Sequence, residues 1–538
     1  MLWCAERYVP YGSVAEGLNI PASEPVKIGK VERSCDDQNP DWRDQQVVDG
    51  VDVDRSNYCE PDSPQSIAAF VKGTNRVSMS VLMKTALSPD AIVKGKDLDG
   101  DGDPDEIHIR LEVMELNGNS TDSDELLVPE YRIAPGIKPG FWVFTPKGRG
   151  MSTRTVDTIE AVPLVRMPSP VIRVEQGDKV KITLENTHYL PHSIHLHGVD
   201  HPYVDSNGEG NDGVPQTSET MVMPGESRTY EFQPRQTGSM AYHCHVQPAT
   251  HILMGLIGML VVEENRPNNW VQTFNVGGGH VRHSSKGVKQ DYDREFDMQY
   301  QGVDKELHSL VQKANDPRLI AQSINQKYDV TDREADYFLL NGRSFPYTLR
   351  ESTVQVKPNS KVKLRVFNAG GEALALHSHG HKATITHYDG VEHNPIAQIT
   401  RDVYSIAPAQ RLDLMLSTKD DGLHAYGEGI WLIHDHFESG ITSNGMAPGG
   451  GVSAIIYDKY LNKMGMPKTQ GVDVSPYFTK EFYEGDYPVW ELSDPEGVFG
   501  KVAKVLPRSL DIIIFGLSLG LAGAFMILFF REISSRNE

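Results

Sequence analysis

From about residue 170 onward, hydrophobic and polar residues alternate in short runs with the period of two expected of a half-buried β-strand. Val171, Ile172 and Val174 run into a turn at Gly177 and Asp178, and Val180, Ile182 and Leu184 follow. The same order returns near residue 354, where Pro358, Asn359 and Ser360 form a turn before Val362, Leu364 and Val366. The chain thus carries an internal duplication. It predicts an all-β protein of two antiparallel sandwiches, at 61–265 and 331–460, with Val77–Leu87 and Ile107–Leu116 as opening strands of the first. Residues 266–330 are polar and mixed with one short helical stretch near Lys305–Ala314, and read as a linker packed on the surface. Residues 1–60, rich in Asp, Pro and Asn, read as an irregular arm, and 461–508 as a second linker.

Composition changes this picture in three places. A formal charge of -21 excludes nucleic acid as a partner, because phosphate binding requires a basic footprint. The apolar run Ser509–Phe530, bracketed by Arg508 and Arg531, has the length of a transmembrane helix and leaves 531–538 as a short tail. Gly516 and Gly520 form a small-residue pair of the kind that lets such helices pack closely. Met1–Gly12 shows no basic segment leading into an apolar one, so an export signal is expected upstream of this numbering. Cys35 and Cys59 are candidates for a disulfide, which would suit an extracytoplasmic location. The stretch from Asp97 to Glu106 places Asp97, Asp99, Asp101, Asp103 and Asp105 at alternate positions around glycines, as a calcium loop does. His108 stands where an EF-hand has its twelfth-position Glu, so Glu106 is the candidate substitute.

Four histidine clusters carry the chemistry: His192, His195 and His197; His243 and His245 around Cys244, with His251; His377, His379 and His381; and His434 with His436. On a strand, residues two apart face the same way, so each pair can aim both imidazoles at one point. Imidazole alone suits copper, zinc, iron or nickel. A thiolate with two further imidazoles and a weak axial neighbour is the blue-copper arrangement, which His192, Cys244 and His251 can supply.

These residues resemble the multicopper oxidases over roughly 125–457, together with Asp212-Gly-Val-Pro-Gln, Met223-Pro-Gly-Glu-Ser, Tyr242-His-Cys-His and Asn341-Gly-Arg. The resemblance implies two cupredoxin-like Greek-key domains with type 1, type 2 and type 3 copper, four ions per active unit. It assigns His195 and His377 to type 2 copper, and His197, His243, His245, His379, His434 and His436 to the type 3 pair. Leu256 is implied as a non-bonding axial neighbour of the type 1 ion, with Met254 and Met259 as alternatives. In the second half, Leu374 and Asp435 stand where the family often has blue-copper ligands. The only type 1 site is therefore expected in the first domain, as in two-domain members that assemble as homotrimers and share the cluster between subunits. Asp212 is the implied proton-transfer residue, whereas His381 and His201 are expected beside the clusters without ligating.

The expected reaction is four one-electron oxidations of an unidentified donor, near an exposed edge of His192 or His251, coupled to reduction of dioxygen to water. Two alternatives stay open: a copper-containing nitrite reductase, which needs only one type 2 ion at the shared site, and a non-catalytic copper-binding or storage protein. The latter would favour low-complexity Met or His tracts, and the 17 methionines here are scattered.

Overall fold

The computed structural model describes residues 88–118, 131–148, 165–281 and 290–483, short interior stretches excepted, and the backbone of four short strands before residue 54. Cys35, Cys59 and the apolar run 509–530 lie outside the described residues. Among the described residues, no helix is long and apolar enough to cross a membrane.

Two β-sandwiches account for most of the described chain. In the first, one sheet orders the strands His195–His197, Gly238–His243, Ile257–Glu263, Val171–Glu175 and Phe274–Asn275. The facing sheet orders Ser227–Phe232, Lys179–Glu185, Glu106–Leu116 and Ile92–Lys94, with Phe141–Pro146 also on Glu106–Leu116. Val180, Ile182 and Leu184 point into the core between the sheets, and the residues alternating with them point out, as the sequence pattern requires. The sheets are mixed rather than purely antiparallel, because Val171–Glu175 runs parallel to Ile257–Glu263 and Glu106–Leu116 parallel to Lys179–Glu185.

The second sandwich repeats both parallel pairings. Val354–Val356 lies parallel to Ser453–Tyr457, and Arg294–Val303 lies parallel to Lys361–Asn368. Here the structure departs from the expected surface linker over 266–330. Arg294–Val303 is almost wholly buried in the largest sheet of the second domain, the counterpart of Glu106–Leu116 in the first. Its period-two pattern is hidden from a hydrophobicity reading because both faces are covered. Phe296, Met298 and Tyr300 enter the second core, while Glu295, Asp297, Gln299 and Gln301 face the first domain. The helices Lys305–Lys313 and Pro317–Gln326 belong to the other side of the interface, since Leu307, Val311, Ile320 and Ile324 join the first core.

Buried charges pin the two domains together. Arg173 of the first domain meets Glu263 at 2.5 Å, Glu295 at 3.2 Å and also Asp297. Arg365 of the second pairs with Asp413 at 2.6 Å and with Glu295, and Asp413 accepts a hydrogen bond from Ser239 of the first domain. These arginines and carboxylates lie almost wholly out of water, so deleting one partner strands the others without compensation. Arg173→Met is expected to lower stability by about 3–5 kcal/mol, read as a reduced urea midpoint. An unchanged midpoint would remove this network as the clamp between domains.

Candidate metal centres

Cys244 follows the strand Gly238–His243, and its backbone N–H donates to Leu256 O at 3.0 Å, fixing where the thiol points. Its Sγ lies 3.6 Å from His192 Nδ1 and 3.4 Å from His251 Nδ1. His192 is held by a two-way backbone bridge to Val222, and His251 closes the short helix Pro248–His251. All three ligand atoms lie within 4.8 Å of one another in a buried pocket, a soft thiolate donor with two imidazoles. Burial pushes the Cys244 thiol up to about 12 and holds His251 down to about 3. The thiol must therefore lose a proton to bind a metal, whereas the imidazoles are already in the ligating form.

Of the axial candidates, Met259 points to the opposite face of its strand and packs with Val171, Val261 and Phe367. Leu256 and Met254 share the first core with Cys244 and remain as neighbours. The expected exposed edge of the blue site is absent, because His192 is 0% and His251 2% exposed. Trp142, on the strand Phe141–Pro146, packs against both rings, and that cover was not legible in the sequence.

On the other side of the tripeptide, His195 pairs in register with His243, and His197 Nε2 faces His243 Nε2 at 2.9 Å. His195 Nδ1 donates to Asp212 O at 2.6 Å and His243 Nδ1 to Cys244 O at 2.9 Å, which turns each Nε2 inward. The second domain repeats the device atom for atom. His377 pairs with His434, and His379 Nε2 faces His434 Nε2 at 3.1 Å. His377 Nδ1 donates to Asp402 O at 3.0 Å, and His434 Nδ1 to Asp435 O at 2.7 Å. With Nδ1 acting as donor, the Nε2 atoms of His195, His243, His377 and His434 are bare acceptors, which a cation among them satisfies. His245 and His436 complete the two sets, with ring centroids 5.2 Å from His195 and 5.5 Å from His377. Each set closes on itself, and among the described residues no ring contact joins the two.

Asp212 sits beside this first set, its Oδ1 3.5 Å from His195 Nδ1 and 3.7 Å from His201 Nε2. Gly213 makes that approach feasible: with φ at +77°, a Cβ there would fall 2.0 Å from Ile194 O. His381 is occupied elsewhere, with Nε2 2.9 Å from the Tyr457 hydroxyl and Nδ1 3.1 Å from His379 O. In the acidic loop, oxygens of Asp97, Asp99 and Asp101 lie within 4.8 Å of one another. Asp103 and Asp105 turn inward instead: Asp103 accepts from Asn269 N at 2.8 Å, and Asp105 from Asp99 N at 3.2 Å. Glu106 opens the next strand and lies 3.8 Å from the Lys96 ammonium.

Paired sandwiches with a buried thiol-and-imidazole pocket and replicated histidine sets have a cupredoxin-like architecture, with a donor set suited to copper. Two family models, each described as multicopper oxidase, match residues 158–267 and 311–443. Both histidine sets thus lie in stretches that match the multicopper oxidase family. It is 25% identical over 284 residues to copper resistance protein A of Escherichia coli, covering 49% of this chain and 44% of that protein. It is also 25% identical over 258 residues to multicopper oxidase MmcO of Mycobacterium tuberculosis, covering 47% of this chain and 46% of that protein. The chain thus spans less than half the length of these curated relatives. Among solved structures, the multicopper oxidase mgLAC overlaps with a TM-score of 0.47 at 23% identity, covering 70% of this chain and 95% of that one.

Burial holds His197 down to about 4 and both His243 and His251 to about 3, so the folded apoprotein refuses protons that the unfolded chain accepts below about 6.5. Stability contributed by these groups is present above that pH and is lost as the pH falls toward 4. The urea midpoint of the apoprotein is expected to drop between pH 7 and pH 5, and His243→Gln to flatten the slope. An equal slope in that variant would contradict the assignment.

Proposed function

We propose that the protein is a multicopper oxidase that couples one-electron oxidation of a reductant at a type 1 copper to reduction of dioxygen to water at a three-copper cluster. The observation that carries this reading is the tripeptide His243-Cys244-His245. Its central thiol belongs to the pocket with His192 and His251, and its flanking imidazoles belong to the histidine set around His195 and His197. Copper supplies the one-electron chemistry and the site at which dioxygen is reduced. The protein's part is to present Cys244 between His192 and His251, where copper would displace the thiol proton, hold Nδ1 of His195, His243, His377 and His434 in backbone hydrogen bonds so that Nε2 is free, and keep water from the thiolate. Asp212, within reach of His195 and His201, is the proposed proton donor to the cluster.

Because each histidine set closes on itself, the cluster is assembled between the first domain of one copy and the second domain of another, in a homotrimer. The run 509–530 anchors this assembly to a membrane with the catalytic domains outside the cytoplasm. The 97–106 loop takes calcium as a structural ion. Eight paired imidazoles exceed what a nitrite reductase needs and lie in ordered motifs unlike those of a storage protein, so the oxidase reading is preferred.

Copper-loaded protein is expected to hold about four ions per chain and an intense visible band that Cys244→Ser abolishes, with dioxygen consumption in the presence of a phenolic or cuprous donor. Two ions per chain with turnover of nitrite would replace the oxidase reading with nitrite reductase. Copper without a visible band would remove the type 1 assignment.

A further inference from the structure

Four residues outside every ligand set converge behind His192. Since His192 presents Nδ1 to Cys244, a metal there requires that nitrogen bare, and the ring proton must sit on Nε2. That Nε2 lies 2.9 Å from Nδ1 of His188, which can only accept, so the proton of His188 sits on its own Nε2. His188 Nε2 in turn points at Glu115 Oε2, 3.8 Å away. Glu115 is gripped from two further sides: Trp142 Nε1 donates to the same oxygen at 3.0 Å, and the Tyr189 hydroxyl donates to it as well. Trp142 is the cross-strand partner of Glu115, and its ring packs edge-on against His188 at 5.2 Å, while Tyr189 covers His188 at 3.9 Å between centroids. His188 is buried, and the Glu115 side chain is only 11% exposed. His251 has no such arm: among the described residues the one hydrogen-bonding contact of its ring is with Cys244.

We infer that His188, backed by the carboxylate of Glu115, is a positioning residue that fixes the tautomer of His192 and lowers the reduction potential of the type 1 centre. An imidazole that donates its distal N–H to an acceptor is a more basic ligand, and an anion behind that acceptor strengthens the effect. A more basic ligand favours the cupric over the cuprous ion. The inference rests on the type 1 reading of His192, Cys244 and His251. It adds a role for a carboxylate and a histidine that bind no metal themselves, carried by a strand and a loop whose residues bear no motif.

The test is a spectroelectrochemical titration of the visible band in full-length, copper-loaded protein carrying His188→Phe, His188→Gln or Glu115→Gln. His188→Phe removes the acceptor and is expected to weaken cupric binding about 10–100-fold. The potential should rise by about 60 mV for each tenfold loss of cupric over cuprous affinity. His188→Gln restores an acceptor oxygen and should bring the potential back toward that of the wild type. Glu115→Gln keeps the packing, removes the charge and should give a smaller rise. Should His188→Phe fail to load copper, Glu115→Gln decides. A potential unchanged in that variant with the band intact overturns the inference while leaving the oxidase reading in place. Absence of the band in the wild-type protein would instead overturn the oxidase reading.

Discussion

Everything in the site depends on one property of an extended backbone: successive side chains leave it on opposite faces. At 243–245 that alternation sends the Cys244 thiol into the core of the first sandwich, where His192 and His251 meet it, and sends His243 and His245 to the other side, where they join His195 and His197. One peptide segment thereby belongs to two candidate metal sites, joined by covalent bonds. Moving the strand by a single residue would exchange the faces and destroy both. The register is accordingly over-determined: Gly238–His243 pairs with His195–His197 on one edge and with Ile257–Glu263 on the other, and Cys244 itself is tied to Leu256.

The duplication extends from the scaffold to single atoms. In both domains one histidine donates Nδ1 to a carbonyl across a loop, another donates to the carbonyl of the next residue, and two Nε2 atoms face each other about 3 Å apart. What differs is the pocket behind the second set. Asp435 occupies the place of Cys244, and its carboxylate accepts from Ala375 N at 2.9 Å and Phe437 N at 3.1 Å. A carboxylate satisfied by backbone in this way braces the end of the strand that carries His434 and the following His436, and offers no soft donor. The second domain therefore has the histidine set without a thiol-and-imidazole pocket behind it.

Much of this was legible in the sequence because it obeys short-range rules. Val180, Ile182 and Leu184 alternate, the histidines come in pairs two apart, and Gly213 follows Asp212 where a close approach requires it. The strand Arg294–Val303 was illegible because its polar residues are buried: Glu295 and Asp297 are satisfied by Arg173 and Arg365, partners more than sixty residues away. His188, Trp142 and Glu115 were illegible for the same reason, since their roles arise only when a strand pair and a loop meet behind His192. Burial of His192 and His251 likewise depends on Trp142, brought against both rings by a distant strand, and leaves no pattern in the chain.

In the proposed assembly, two self-contained histidine sets from separate copies close on one multinuclear copper site. Anomalous diffraction at the copper edge from crystals of the copper-loaded protein tests it directly. One copper is expected among His192, Cys244 and His251, and three between the His195, His197, His243 and His245 set of one copy and the His377, His379, His434 and His436 set of another. A single copper between those sets, or sets that never meet, would contradict it.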